Sequence, residues 1–371
     1  MIRPIHLFIL VILITTACRP RTAADATQTS QGETLQYARG FRISPIEGGK
    51  LLRIVDPGDS LRVMATLALM DDDTPPPAGV TAVKVPCRRI ACLSSTYMAY
   101  LIELDAVDGV VAINSSRHLM NAKVNALIHD GHIQKVGKEG NFNTEALLAL
   151  APDVVLVSPF KTGGYEALQQ LNLPLVPMMA YEEEHPLGRA EWLKMMGCLV
   201  GKKPLADSLF ANIAQQYDHL KQLAATAPHR PSVFSGKMKS GTWYVPGGRS
   251  FYAHYFRDAG AQYVFADDDN RGATAVDFEI VYQRAAKADF WRIYSNTPGD
   301  LTREQLAAED ARYGHFNAFE KGNVLYCNIA EKAYYEQGPV KPHVMLADYI
   351  HFFHPELLPA HEPVYYQRIQ E

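Results

Sequence analysis

Two stretches of the chain repeat one layout, and few folds can supply that layout twice. The first is NTEALLALAPDVVLVS, from Asn143 to Ser158, and the second is DFEIVYQRAAKADFWRIYS, from Asp277 to Ser295. Each opens on a capping residue, Asn143 or Asp277, two positions before a glutamate, Glu145 or Glu279. An amphipathic helical pattern follows, then an aspartate, Asp153 or Asp289, then an apolar strand. The VVLVS strand is apolar throughout, as a parallel strand covered on both faces must be. A chain with two matching α/β halves produces this pattern, and its two equivalent glutamates can face one partner.

With 371 residues the chain is long enough for two ordinary domains with real cores. It is 47% hydrophobic and 20% charged, a globular composition. A net charge of −4 with scattered Lys and Arg argues against a nucleic-acid partner. Arg3, the apolar run LFILVILI (residues 7–14) and the small residues Thr15, Thr16 and Ala17 before Cys18 form a secretory signal with a lipoprotein-type cleavage site. Residues 1–17 are therefore expected to be a signal peptide, Cys18 the lipidated first residue, and 18–34 a polar tether. Cys87, Cys92, Cys198 and Cys327 form no CxxC pair and no zinc-type cluster, and read as small core residues.

Residues 35–84 read as a β-rich extension that could cover a sheet edge: KLLRIVDP and SLRVMATLAL are strand-like, and DDDTPPPAG is a turn. From Val85 to residue 187 strands and helices alternate as in an α/β lobe, with Thr96 expected to cap the helix that ends near Leu104. Residues 188–228 read as bridging helices, and the piece from 203 to 225, ~35 Å long, could brace two domains. Residues 229–371 read as a second α/β lobe. The fold class expected is thus α/β: two Rossmann-like lobes, a long rigid helix and a β-rich extension.

The order and spacing of RIACLSSTYMAYLIEL, VGKEGNFNTEALLALAPDVVLV, WYVPGG, DAGAQYVFA and the closing HPE resemble the class III periplasmic substrate-binding proteins. These serve ABC importers of iron–siderophore complexes, haem or cobalamin. The segment PLGRAEWLKMMG, with the tail HPELLPAHEPVYYQRI, is similar to a lipoprotein branch of Bacteroidetes-type bacteria. The resemblance implies two lobes that close slightly on the ligand and no catalysis. It also implies a periplasmic, membrane-anchored monomer of a Gram-negative cell, with a permease as partner and no intrinsic cofactor. In that family a glutamate at a helix start in each lobe docks onto permease arginines, which maps here onto Glu145 and Glu279. Carboxylates suit arginine forks, although acids in a first helical turn are also favoured by the helix dipole alone.

Ligands of open α/β sheets bind beyond the carboxyl ends of the strands. That rule selects Ser95, Thr96, Tyr97, Arg117 and Lys161 in the first lobe. In the second it selects Trp243, Tyr244, Gly247, Gly248, Arg249, Arg271 and, later, Tyr335. Aromatic walls mixed with cations suit a large, flat or anionic chelate. His129 with His132, and His351 with His354, are weak as metal-ligand pairs. No nucleophile elbow, phosphate loop or zinc motif is present. Other readings are a free Zn or Mn carrier, a chelatase-like lipoprotein acting on a tetrapyrrole, and a surface interaction module.

Overall fold

Both halves of the echo build the same unit. Asn143 caps the helix Thr144–Ala149 by accepting the Ala146 N–H at 2.9 Å, and the chain returns as the wholly buried strand Val154–Val157. Asp277 stands at the same place before the helix Phe278–Ala285, which leads to the strand Phe290–Ser295; its side chain makes no capping bond. The two aspartates have a job that the pattern alone did not disclose. Asp153 accepts the backbone N–H groups of Arg88 and Arg89 at 2.7 and 2.8 Å. Asp289 accepts the Ser232 N–H at 2.8 Å and its hydroxyl at 2.7 Å. Each pins the amino end of the echo strand to its parallel neighbour, Ile90–Cys92 or Ser232–Ser235.

The computed structural model describes residues 32–138, 140–159 and 165–371. The expected signal peptide, Cys18, most of the tether and Lys161 lie outside the described residues. Among those residues no helix is long and apolar enough to cross a membrane. The first-lobe sheet is parallel, in the order Leu175–Pro177, Val154–Val157, Ile90–Cys92, Val110–Ile113, Gln134–Lys135. The second runs Gln262–Tyr263, Ser232–Ser235, Phe290–Ser295, Val324–Asn328, Gln367–Arg368, with only the last pairing antiparallel. The architecture is the α/β arrangement expected.

Two local elements differ from the expectation. The cap of the helix Ser95–Glu103 is Ser94, whose hydroxyl accepts the Thr96 N–H at 3.3 Å, so Thr96 lies inside the first turn. QYVFA is a strand only at Gln262–Tyr263, because the chain turns at once. The cysteines Cys87, Cys92, Cys198 and Cys327 are free and buried, and burial pushes their thiols up to about 12, 12, 11 and 12.

Between the lobes the chain passes a single turn, Ala180–Glu182, and then the helix Pro186–Leu199, buried along nearly its whole length. Gly201, at φ +71°, allows the reversal into the brace helix Lys203–Ala224, about 33 Å long. The brace packs against Pro186–Leu199 and against the late helix Pro342–Phe353.

The extension is a sheet of its own. Strands β1 (Phe41–Ile46), β2 (Gly49–Asp56) and β3 (Asp59–Met70) pair antiparallel, and β4 (Thr81–Lys84) lies parallel to β3. β3 packs beside Leu175–Pro177, the edge strand of the first-lobe sheet. Two buried carboxylates seat it. Glu191 accepts the N–H groups of Gln36, Tyr37 and Ala38 at 2.8–3.1 Å, and Lys194 meets it at 2.8 Å. Glu183 takes over at Arg39 and Gly40, at 2.9–3.0 Å, and also accepts the Trp192 indole N–H at 2.9 Å. Burial pushes the Glu183 carboxyl above its ordinary range, against the pull of these donors.

Glu191→Ala would strand three backbone donors and the Lys194 ammonium in a dry site. The expected loss is about 3 kcal/mol or more of stability, read by urea unfolding. A change within error would show that solvent reaches this seat.

Candidate functional site

The carboxyl ends of the second-lobe strands converge on a cavity of about 490 Å³, inside the range of small-molecule sites. Ser235 ends one strand at its wall, and Arg292 and Tyr294 come from the next. Phe251 and Tyr252 enter from the start of the helix Phe251–Asp258, which Ser250 caps by accepting the Ala253 N–H at 3.3 Å. Tyr181 and Glu182, from the turn between the lobes, form part of the lining, as does the segment Arg271–Ala273. The lining is largely aromatic and apolar.

Arg292 dominates the electrostatics. Its residue is 2% exposed and it is in no ion pair among the described residues. Its Nε donates to the Tyr366 hydroxyl at 2.7 Å and Nη1 to the Ser235 hydroxyl at 3.3 Å. The guanidinium lies 3.6 Å from the centre of the Tyr294 ring and 4.3 Å from that of Tyr252. Nη2 is buried without a hydrogen-bond partner. A cation held this way is costly unless an anion completes its shell.

Beside it the hydroxyls of Tyr252, Tyr294 and Tyr334 bond to one another, Tyr252 to Tyr334 at 2.5 Å and Tyr294 to Tyr334 at 2.6 Å. Burial pushes the Tyr294 and Tyr334 phenols well up, so they are neutral donors. Lys239 adds charge to the lining, whereas Lys237 is tied to Glu309 at 2.6–2.7 Å and Arg271 to Asp56 at 3.3 Å. Glu182 is the one acid among the lining residues. This arrangement can hold an anionic, partly aromatic molecule; it presents no nucleophile–base pair.

Of the residues selected from sequence, Tyr244 and Arg271 line the cavity. Trp243 does not: it is fully buried, donates to the Ser235 carbonyl at 3.1 Å and packs among Phe234, Trp291 and Phe316. Gly247 and Gly248 do give close backbone approach, but to residues 266–270 of the chain itself. Arg249 pairs with Glu184 at 2.5 Å. Tyr335 lies against the His118 ring, 4.7 Å between centres, beside Glu336, which accepts the Met120 N–H at 2.8 Å. Tyr97 is buried and hydrogen-bonded to Ser158 at 2.5 Å; Ser95 and Thr96 are half-buried, and Arg117 is exposed.

The histidine pairs hold no common centre: His129 bonds to Asp130 and His132 to the Asp108 carbonyl. His351 bonds to the Leu358 carbonyl, while His354 packs on His229. Among the described residues no group of three or more His, Cys, Asp or Glu side chains could hold a metal ion. Glu145 and Glu279 are both exposed in first helical turns, with Leu148, Ile280 and Tyr282 exposed on the same helices.

Residues 90–329 match the family described as periplasmic binding protein. A lipoprotein of Methanocaldococcus jannaschii, itself uncharacterized, is 28% identical over 291 residues, covering 74% of this chain and 67% of its own. A periplasmic heme binding protein from Pseudomonas aeruginosa shares the fold with a TM-score of 0.60 at 17% identity, covering 77% of this chain and 99% of that one. An ABC-type Fe3+-hydroxamate transport system protein from Saccharomonospora viridis does so at 0.56 and 20%, covering 74% and 94%.

The Gly247 N–H donates to the Gly272 carbonyl at 2.7 Å, and an added Cβ would stand 2.1 Å from the Asn270 carbonyl oxygen. Gly247→Ala is expected to push residues 270–272 off the turn, raise their amide exchange and cost about 1–3 kcal/mol. Unaltered exchange there would refute this close packing.

Proposed function

The chain belongs to the periplasmic binding protein family, and from that premise we propose that it captures an anionic metal chelate, a ferric siderophore or haem, for an ABC importer. Proteins of this family bind small molecules and deliver them to permeases; they are not enzymes. The observation that carries the ligand class is Arg292, a buried cation without an acid whose Nη2 has no partner, at the wall of an aromatic cavity. Carboxylate or catecholate oxygens would complete its shell, and the rings would cover the organic framework. Cobalamin, which presents mainly amides, uses this cation less well. A free Zn or Mn ion would need a convergent ligand set, which the described residues lack. An open cavity of about 490 Å³ also disfavours a purely structural interaction module.

The same reading gives Glu145 and Glu279 the permease-docking role, each with an exposed apolar neighbour on its helix. Lipidation at Cys18 would hold the protein outside the cytoplasmic membrane. The sequence relatives in Methanocaldococcus jannaschii are archaeal, so the Gram-negative setting expected from sequence has no support from them.

Two experiments test this. Titration with haemin, a ferric tris-catecholate, a ferric hydroxamate and cyanocobalamin should give saturable binding of an anionic member. Arg292→Gln should weaken that binding about 10- to 100-fold. Preference for cyanocobalamin, or indifference to Arg292→Gln, would sink the anionic assignment. Charge reversal at Glu145 and Glu279 together should abolish uptake in cells while leaving ligand affinity unchanged; normal uptake would remove them from docking.

A further inference from the structure

The family match begins at residue 90, so the extension lies outside it, yet one of its turns, which does not itself line the cavity, pairs with the lining residue Arg271. We propose that the β2–β3 turn is a working part of the solute site: Asp56 is a positioning residue that holds Arg271 ready for an anionic ligand. This rests on the cavity being the solute site.

Three observations converge on Arg271. Its Nη2 donates to Asp56 Oδ1 at 3.3 Å, and both side chains are mostly buried, 23% and 15% exposed. Its Nη1 is buried and has no hydrogen-bond partner, although the residue lines the cavity. The guanidinium lies directly on the turn: a Cβ built at Gly58 would stand 2.1 Å from Arg271 Cζ and Nη2. A methyl group at Gly58 would therefore displace the Arg271 head from its place on the turn.

Asp56 is itself fixed. The Gly58 N–H donates to Oδ1 at 2.8 Å, and Arg62 approaches Oδ2 at 3.6 Å. The carboxylate is oriented by its own turn before Arg271 arrives, so the arginine inherits an orientation that it could not set alone. An arginine has five donors in a rigid fork. With one arm held by Asp56, a ligand oxygen can take the other without first ordering a long side chain. The turn is carried by the extension, which Glu183 and Glu191 seat against the segment between the lobes. The site is thus built from three parts: second-lobe strands, the interlobe turn at Tyr181 and Glu182, and, through Arg271, the extension.

Charge alone predicts the opposite behaviour. If Asp56 merely neutralised Arg271, removing it would free a cation and tighten anion binding. The test titrates haemin and the ferric tris-catecholate against wild type, Asp56→Ala, Asp56→Asn, Gly58→Ala and Arg292→Gln, with a thermal midpoint for each. Asp56→Ala and Gly58→Ala are expected to weaken binding about 10-fold, with Asp56→Asn, which keeps an acceptor, within about 2-fold of wild type. In an Arg271→Ala background Asp56→Ala should be silent. Tighter binding by Asp56→Ala, or a shifted midpoint with unchanged affinity, would overturn the positioning role. If Arg292→Gln still loses binding, the solute site stands without it. Absence of binding by the wild type to either probe would overturn both.

Discussion

Five consecutive backbone N–H groups, from Gln36 to Gly40, end on two buried carboxylates, and much of the rest of the molecule follows from that seat. Glu183 and Glu191 flank the start of the helix that carries the chain from one lobe to the other. Burying carboxylates is expensive, and only a dense set of donors makes it tolerable. Here the donors belong to a segment that would otherwise need partners of its own. Each side solves the other's problem. The sheet that begins at Phe41, whose ring meets Trp192 at 5.1 Å, is thereby fixed beside the first-lobe edge strand.

The two-lobed fold was legible because its repeat is written in ordinary signals: cap, acid, amphipathic helix, apolar strand. Those signals are local, and the helices and strands they specify are local structures. Asp153 and Asp289 were visible as members of the pattern, but their purpose depends on a neighbouring strand some sixty residues away, which spacing does not reveal. The seat at Glu183 and Glu191 joins residues about 150 positions apart and left no local trace.

The site was less legible, for the same reason. Trp243 reads like a cover for a ligand because glycines follow it. The alternation within Thr242–Pro246 puts Trp243 and Val245 inward and Tyr244 outward, so Tyr244 and Pro246 line the cavity and Trp243 does not. Arg292 stands inside the echo itself, in the run FWRIYS, and a rule that selects residues beyond strand ends does not reach it. A cation in the middle of a strand whose neighbours are buried is a signal in its own right. Arg271 was selected from sequence for its place after a strand, whereas its partner Asp56 lies outside the residues of the family match.

The paired aspartates have one more consequence. Each clamps one central strand pair of its sheet at the amino ends, while in the second lobe the cavity around Arg292 lies toward the carboxyl ends. The register of these strand pairs is therefore settled at the pole of each lobe opposite the carboxyl ends of its strands. Loops at the opposite pole can lengthen, shorten or exchange side chains without the pinned strands slipping on each other. Such a scaffold tolerates rewriting of its specificity, because alignment and recognition are anchored at different ends of the same strands.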